Sequence, residues 1–127
     1  MNFPENLKFA KSHEWLRLED TTGYIGVSDF AQSELGDVVF VDISVNVGDV
    51  VEAGSVFGTI EAVKTVSDLY MPVTGEIAEI NQKIIDTPET VNSDPYGDGW
   101  MIRIVTEDKG ANLMDSAAYA GMVGQGH

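Results

Sequence analysis

The chain has 127 residues, of which 43% are hydrophobic and 22% charged, so its composition excludes a disordered or low-complexity protein and fits one globular domain over residues 1–127. Its formal net charge of −14 disfavours binding to nucleic acid or to an anionic membrane surface. Because the chain has no cysteine, it has no disulfides and no thiolate chemistry of its own, and any redox chemistry requires a cofactor.

Short runs rich in valine and isoleucine, separated by glycines, predict an all-β domain with peripheral helices. The predicted strands are residues 15–18, 24–27, 38–43, 50–51, 56–63, 66–71, 75–80 and 100–105. Ser28 or Asp29 can cap a short helix that runs to Leu35 and ends at Gly36. Asn81 can cap a second helix over residues 82–86.

Beyond the second helix, Thr87 followed by Pro88 offers another helix start, and residues 92–99 form a polar loop. Apolar residues at spacings of three and four predict an amphipathic helix over about residues 112–122, with Asn112 and Asp115 as a cap pair. The face expected to dock on the sheet consists of Leu113, Met114, Ala117, Ala118, Gly121 and Met122. Glycines 121, 124 and 126 should fray its end.

The remaining motifs exclude most catalytic chemistry. The two histidines, His13 and His127, are far apart in sequence, and His127 ends the chain, where a mobile terminus is expected, so we predict no histidine triad or metal site. A glycosidase-like pair of catalytic carboxylates remains an open alternative among 21 acidic residues, although an acidic, solvated surface is favoured.

The start of the chain has no apolar signal segment and no stretch long enough to span a membrane, which predicts a cytoplasmic protein.

Residues 54–75 give the sharpest pattern, because two β-like runs meet at Lys64 and glycines 54 and 75 frame them. This spacing predicts a hairpin that holds Lys64 at its far end. A catalytic lysine needs burial, which a hairpin tip does not provide, and a lone surface lysine is usually a solvated charge. An exposed tip suits a covalent attachment point.

Seven segments of the sequence resemble those of one protein family. They are residues 12–15 (SHEW), 35–41 (LGDVVFV), 61–64 (EAVK), 67–68 (SD), 72–76 (PVTGE), 92–100 (NSDPYGDGW) and 113–115 (LMD). Together they resemble the glycine cleavage system H protein family over residues 9–119, with departures at Ala62 and Thr65 and in the C-terminal helix. Biotinyl carriers place Met on both sides of their lysine, whereas this chain has Val63 and Thr65, which favours lipoate over biotin.

The resemblance implies a barrel-sandwich hybrid of two antiparallel sheets and a carrier subunit that is not itself an enzyme. It implies lipoic acid bound covalently to Lys64 by a lipoate ligase or lipoyl transferase. The lipoyl group would take an aminomethyl group from a pyridoxal-phosphate-dependent glycine decarboxylase to a tetrahydrofolate-dependent aminomethyltransferase. Dihydrolipoamide dehydrogenase would then reoxidise it. A monomer is expected, and lipoyl relay or another lipoyl or biotinyl complex stays open as an alternative client.

The resemblance also assigns roles to further residues. Ser12, Glu14 and Asp68 would form a cleft that holds the loaded arm, although Ser12 as a turn cap and Glu14 as a solvated acid stay open. Glu61 and Gly75 would be recognised by the lipoylating enzyme, or would be only a surface acid and a turn glycine. Three aromatic residues are expected in the core: Trp15, Phe40 and Trp100.

Overall fold

The computed structural model describes residues 3–124, whose strands form two antiparallel sheets. The strands are β1 (Lys8–Phe9), β2 (Glu14–Glu19), β3 (Thr22–Val27), β4 (Val38–Ile43), β5 (Val50–Val51), β6 (Val56–Ala62), β7 (Val66–Tyr70), β8 (Gly75–Ile80) and β9 (Ile102–Val105). One sheet has six strands in the order β1-β2-β3-β9-β8-β5, and the other has three in the order β4-β6-β7.

The two sheets face each other across one apolar core. Ile25, Ile77 and Ile104 of the six-stranded sheet belong to the same buried cluster as Val41 and Ile60 of the three-stranded sheet. The expected sandwich of antiparallel sheets is thereby confirmed. Three strands match their predicted bounds, and β2, β3, β6 and β7 differ from theirs by one or two residues in all. The last strand begins at Ile102 instead of Trp100, and β1 was missed because it has only two residues.

The four helices are α1 (Asp29–Leu35), α2 (Gln82–Asp86), α3 (Thr90–Ser93) and α4 (Ser116–Met122). The first two are capped as predicted: the Ser28 hydroxyl accepts from the Ala31 N–H, and the Asn81 side chain accepts from the Lys83 N–H. No helix in residues 3–124 has the length and apolar character needed to cross a membrane.

The predicted helix start at Thr87 is wrong. Thr87 terminates α2, because its N–H donates to the Lys83 carbonyl at 2.7 Å, and its own carbonyl accepts from the Thr90 N–H at 3.0 Å in a turn. Helix α3 therefore begins only at Thr90 and takes in Asn92 and Ser93, which the sequence assigned to a loop.

The C-terminal helix is shorter than predicted and docks through a different residue. It begins at Ser116 because the Asp115 carboxylate caps it, while Met114 pairs with Phe9 as a β-bridge. The predicted docking face is wrong: four of its members, Ala117, Ala118, Gly121 and Met122, are exposed. Only Tyr119 of α4 is buried, stacked on the Phe9 ring with centroids 4.5 Å apart. Gly126 and His127 lie outside the described residues.

Of the three aromatic residues expected in the core, only Trp15 is fully buried. Trp100 is half-buried against Tyr24, with ring centroids 5.4 Å apart. Phe40 is 50% exposed, so its assignment to the core is wrong. The cause is a register shift between Val38 and Phe40, where β4 bulges against β6 and interrupts the alternation of inward and outward side chains.

Candidate functional site

Lys64 lies in the turn between β6 and β7, the antiparallel pair expected from residues 54–75. The Ala62 N–H closes this turn by donating to the Thr65 carbonyl at 2.8 Å, and the Lys64 side chain is exposed. The Val63 N–H donates to the Asp37 carbonyl at 3.1 Å, which ties the tip to the residue that precedes β4. The tip is therefore both open to solvent and anchored.

The segment before β4 is held in turn by one side chain. The Asn92 side-chain oxygen accepts from the Val38 N–H at 2.9 Å, and its amide nitrogen donates to the Gly36 carbonyl at 2.9 Å. The same nitrogen donates to the Gln32 side chain at 3.0 Å. Asn92 thus joins α3 to the connection between α1 and β4, the same connection to which Val63 of the lysine tip is hydrogen-bonded at Asp37.

The two glycines that frame the hairpin have different roles. Gly54 has φ +86°, a left-handed conformation that glycine adopts readily, and its N–H donates to the Met71 carbonyl at 2.8 Å. Gly75 is instead a buried residue at the start of β8 and does not form a turn. A Cβ there would lie 2.7 Å from the Ile104 Cδ1 and 3.1 Å from the Val105 carbonyl oxygen, so packing at the base of the hairpin requires glycine.

A cavity of about 260 Å³ lies beside the hairpin. Residues of α1, β2, β3, β6 and β7 line it, and the three predicted cleft residues, Ser12, Glu14 and Asp68, are among them. Ser67 also lines it and lies three residues beyond Lys64 in the chain, so the Cα atoms of the two residues are at most about 11 Å apart. The lysine side chain and its surroundings thus share one end of the molecule with a small-molecule-sized cavity.

Glu14 is the most unusual of these residues because its side chain is buried. The residue is only 1% exposed, so the alternative of a solvated acid is wrong. One carboxylate oxygen accepts from the Ser12 hydroxyl and the other from the Tyr70 N–H at 3.0 Å. Burial raises the pKa of Glu14 from 4.5 to about 7, and the two hydrogen bonds oppose that rise only partly.

The other two predicted cleft residues are more open. Ser12 is exposed, and its hydroxyl donates a hydrogen bond to the Glu14 carboxylate. Asp68 is exposed on β7, where it pairs with Thr59 of β6. The cavity lining thus contains one buried carboxylate, that of Glu14, and two exposed ones, those of Asp68 on β7 and Glu34 on α1.

Sequence reasoning missed His13, which also lines the cavity. Its Nδ1 lies 2.8 Å from the Tyr119 hydroxyl, which in turn lies 2.6 Å from the Ser28 hydroxyl at the start of α1. Burial lowers the pKa of His13 from 6.5, and the negative charge of Glu34 acts in the opposite direction. A neighbour more than a hundred positions away was not available from local patterns.

The two residues predicted to guide lipoylation are not brought together. Glu61 is exposed on β6, three residues before Lys64, whereas Gly75 lies at the opposite end of the hairpin. Within residues 3–124, no cluster of three or more His, Asp or Glu side chains is arranged to hold a metal ion.

Comparison with known proteins gives one consistent result. Residues 7–125 match the family model described as "Glycine cleavage H-protein". The chain is 52% identical over 125 residues to the glycine cleavage system H protein of Bacteroides thetaiotaomicron, covering 97% of this chain and 98% of the relative. It is 50% identical over 128 residues to that of Chlorobium luteolum, covering 98% and 99%. The crystal structure of the H protein from Mycobacterium marinum superposes with a TM-score of 0.89 at 36% identity, covering 96% of this chain and 99% of that one.

Proposed function

This chain belongs to the glycine cleavage H-protein family, the lipoyl carriers of the glycine cleavage system, and we propose that Lys64 is the residue that bears the lipoyl group. The observation that carries this proposal is the exposed position of Lys64 at an anchored hairpin tip. Attachment joins Nζ to the carboxyl carbon of lipoic acid as an amide. Nζ attacks the carbonyl of an activated donor and gives up a proton, and the leaving group of the donor departs.

The residues present fit such a group. When bound, the lipoyl group supplies a disulfide that opens to accept an aminomethyl group and is later re-formed. A lysine stem with that acyl chain extends on the order of 10 Å, and Ser67 of the cavity lining is only three residues from Lys64 in the chain. We therefore propose that the chain acts as a carrier without catalytic residues of its own. Its partners would be the decarboxylase, the aminomethyltransferase, the dehydrogenase and the lipoylating enzyme.

We further propose that Ser12, Glu14 and Asp68 hold the cargo in the cavity. A primary ammonium placed there can donate to carboxylates at Glu14 and Asp68, and each such bond is charge-assisted. The Ser12 hydroxyl and the Tyr70 N–H orient the Glu14 carboxylate. Four apolar lining residues are buried, so a hydrolysable cargo held against them would have less contact with water: Val27, Leu35, Ile60 and Leu69.

We propose that the lipoylating enzyme contacts Glu61 directly and that Gly75 contributes indirectly, by allowing the close packing at the base of the hairpin. Glu61 is exposed near Lys64, so an approaching protein can reach it. Gly75 lets β8 pack closely against Ile104 of β9 and so fixes the base of the hairpin.

The attachment site is tested by the intact mass of the full chain from its native cells, with peptide mapping around Lys64. A lipoyl-sized increment on Lys64, lost in Lys64→Arg and kept in the control Lys83→Arg, is expected. Lys83 is a suitable control because it is also exposed but pairs with Asp98 at 2.8 Å. A biotinyl increment, an increment on another lysine, or an unmodified Lys64 in cells that lipoylate other proteins would refute the proposal.

The cavity role is tested on lipoylated protein loaded with the aminomethyl group. Glu14→Ala should speed hydrolysis of the loaded group, measured as formaldehyde and ammonia released as the dihydrolipoyl thiol is freed, whereas Glu76→Gln, which removes an exposed carboxylate on the other sheet, should not. Equal release rates in wild type and Glu14→Ala would reject the role.

A further inference from the structure

Four apolar side chains surround the lysine tip and point into solvent. Val39, Phe40, Val63 and Val66, here called the tip patch, are between 50 and 72% exposed. Val63 and Val66 belong to the lysine turn and the start of β7, whereas Val39 and Phe40 come from β4, more than twenty positions earlier. Isolated exposed valines are ordinary, but four apolar residues gathered around one functional residue indicate an interaction surface.

The backbone positions this patch in a specific way. Phe40 pairs with Glu61, and Glu61 pairs with Val66, so the three residues form one row across β4, β6 and β7. The bulge between Val38 and Phe40 leaves both Val39 and Phe40 exposed, where regular alternation would bury one of them. Bulges near functional sites commonly redirect side chains in this manner.

We infer that the tip patch is the docking surface for the enzyme that acylates Lys64. An enzyme that forms an amide on Nζ must enclose the lysine side chain, which reaches only about 6 Å beyond its Cα. Its surface therefore covers the residues that flank the tip, and on the outer face of the hairpin those residues are the tip patch. Ser67, the residue after Val66, points to the other face of β7 and lines the cavity together with Ile60, with which it pairs.

The charges around the patch specify the partner further. Exposed carboxylates at Asp37, Asp42 and Glu61 lie beside or within it. A complementary surface has an apolar strip to cover Phe40 and the valines, bordered by basic side chains. The acylating enzyme should therefore present basic residues around the entrance through which the lysine enters.

The chain contains its own control for this inference. In the six-stranded sheet, Val50 pairs with Glu76 and Glu76 with Val105, which repeats the apolar–Glu–apolar row. Both valines are exposed, and Glu76 follows Gly75 at the base of the hairpin, far from Lys64. Val66→Ala and Val105→Ala remove the same two methyl groups from exposed valines and differ in their position relative to the lysine.

This inference rests on the proposed attachment at Lys64, and the test separates the two. Full-length unmodified protein is incubated with lipoate, ATP and a lipoate–protein ligase, and initial rates are followed by intact mass. Phe40→Ala should lower kcat/KM for acylation about tenfold and Val66→Ala about threefold, mainly through KM. Phe40→Leu, which keeps an apolar side chain, and Val105→Ala should stay within twofold of wild type.

Each other outcome has a definite meaning. Wild-type protein that is not acylated at Lys64 would refute the attachment site itself. Acylation at Lys64 with equal rates in Phe40→Ala, Val66→Ala and wild type would overturn the docking inference alone. Non-enzymatic acylation by an N-hydroxysuccinimide ester provides a further check. If the variants slowed this reaction as much as they slow the enzymatic one, the substitutions would have changed the reactivity of the Lys64 amine, and the docking inference would be wrong.

Two further measurements exclude other occupants of the patch. If Phe40→Ala left acylation unchanged but slowed loading by the decarboxylase, or abolished a dimer seen by sedimentation, the tip patch would serve that partner instead. Thermal unfolding confirms that Phe40→Ala is folded, which is expected because Phe40 is half exposed. Should it not fold, the Val66→Ala and Val105→Ala pair decides the question.

Discussion

The buried carboxyl of Glu14 should make the stability of this protein depend on pH in an unusual direction. Most carboxyls have a lowered pKa in the folded state and stabilise it as pH rises, whereas burial raises the pKa of Glu14. Replacement by glutamine keeps the shape and both orienting hydrogen bonds, since its side-chain oxygen can accept from the Tyr70 N–H and its amide nitrogen can donate to Ser12. The substitution removes only the ionisation.

The magnitude follows from the two pKa values. Below about pH 4.5 the carboxyl of Glu14 is protonated in both the folded and the unfolded chain, and it has no effect on pH dependence. Between 4.5 and 7 the folded protein keeps a proton that the unfolded chain has lost, so the free energy of unfolding falls as pH rises. Above pH 7 the loss levels off at about 3 kcal/mol. Glu14→Gln should therefore be more stable than wild type by about 1 kcal/mol at pH 5 and about 3 kcal/mol at pH 8.

Urea unfolding of unmodified wild-type and variant protein between pH 5 and pH 8.5 measures this difference. Glu76→Gln corrects for the general relief of repulsion in a chain of net charge −14, because it removes an exposed carboxylate of the same type. A stability gain of Glu14→Gln over Glu76→Gln that does not grow with pH would refute the reasoning. A gain that fell with pH would mean that the carboxylate is stabilised by its surroundings.

Three other substitutions test the structural framework. Asn92→Ala should lower the free energy of unfolding by about 2 kcal/mol, because it leaves two backbone groups in the connection from α1 to β4 without their partner; urea unfolding measures this. Gly26→Ala should destabilise by about 1–3 kcal/mol, because its Cβ would lie 2.8 Å from the Trp15 ring, and the change should appear in the near-UV circular dichroism of that ring. Tyr119→Phe should cost about 1 kcal/mol and release the His13 ring, whose pKa by NMR should change while Asn92→Ala leaves it unaltered.

The sequence predicts elements well where one local rule decides them. Strand β4 follows from a short run rich in valine, and helices α1 and α2 follow from caps at Ser28 and Asn81, none of which needs knowledge of distant residues. Helix α4 was misplaced because alanine and glycine mark an apolar face but bury little area. A single large ring, that of Tyr119, determines how this helix docks.

The residues of the candidate site also differ in whether a local sequence pattern predicts them. The position of Lys64 follows from the hairpin pattern and the surrounding motif, both of which are local. The burial of Glu14 does not, because Glu14, Trp15 and Leu16 are consecutive buried residues and the alternation of β2 is lost there. This end of β2 is covered on both faces, one of which packs against aromatic residues near the chain ends such as Phe9. Such cover depends on the tertiary fold and has no signature in a local window.

The alternation of β7 directs two neighbouring residues, Val66 and Ser67, to different contacts. Val66 stands in the outer row with Glu61 and Phe40, while Ser67, the next residue, lines the cavity on the inner side. Lys64 lies in the turn and belongs to neither face, so a group attached to it can swing towards the cavity or into a docked enzyme. Under the proposed roles, recognition of the bare lysine depends on Phe40 and Val66, and protection of the cargo depends on Glu14 and Asp68. Asp68 lines the cavity yet stands two residues from Val66, on the same face of β7, so the two sets of contacts meet at this position.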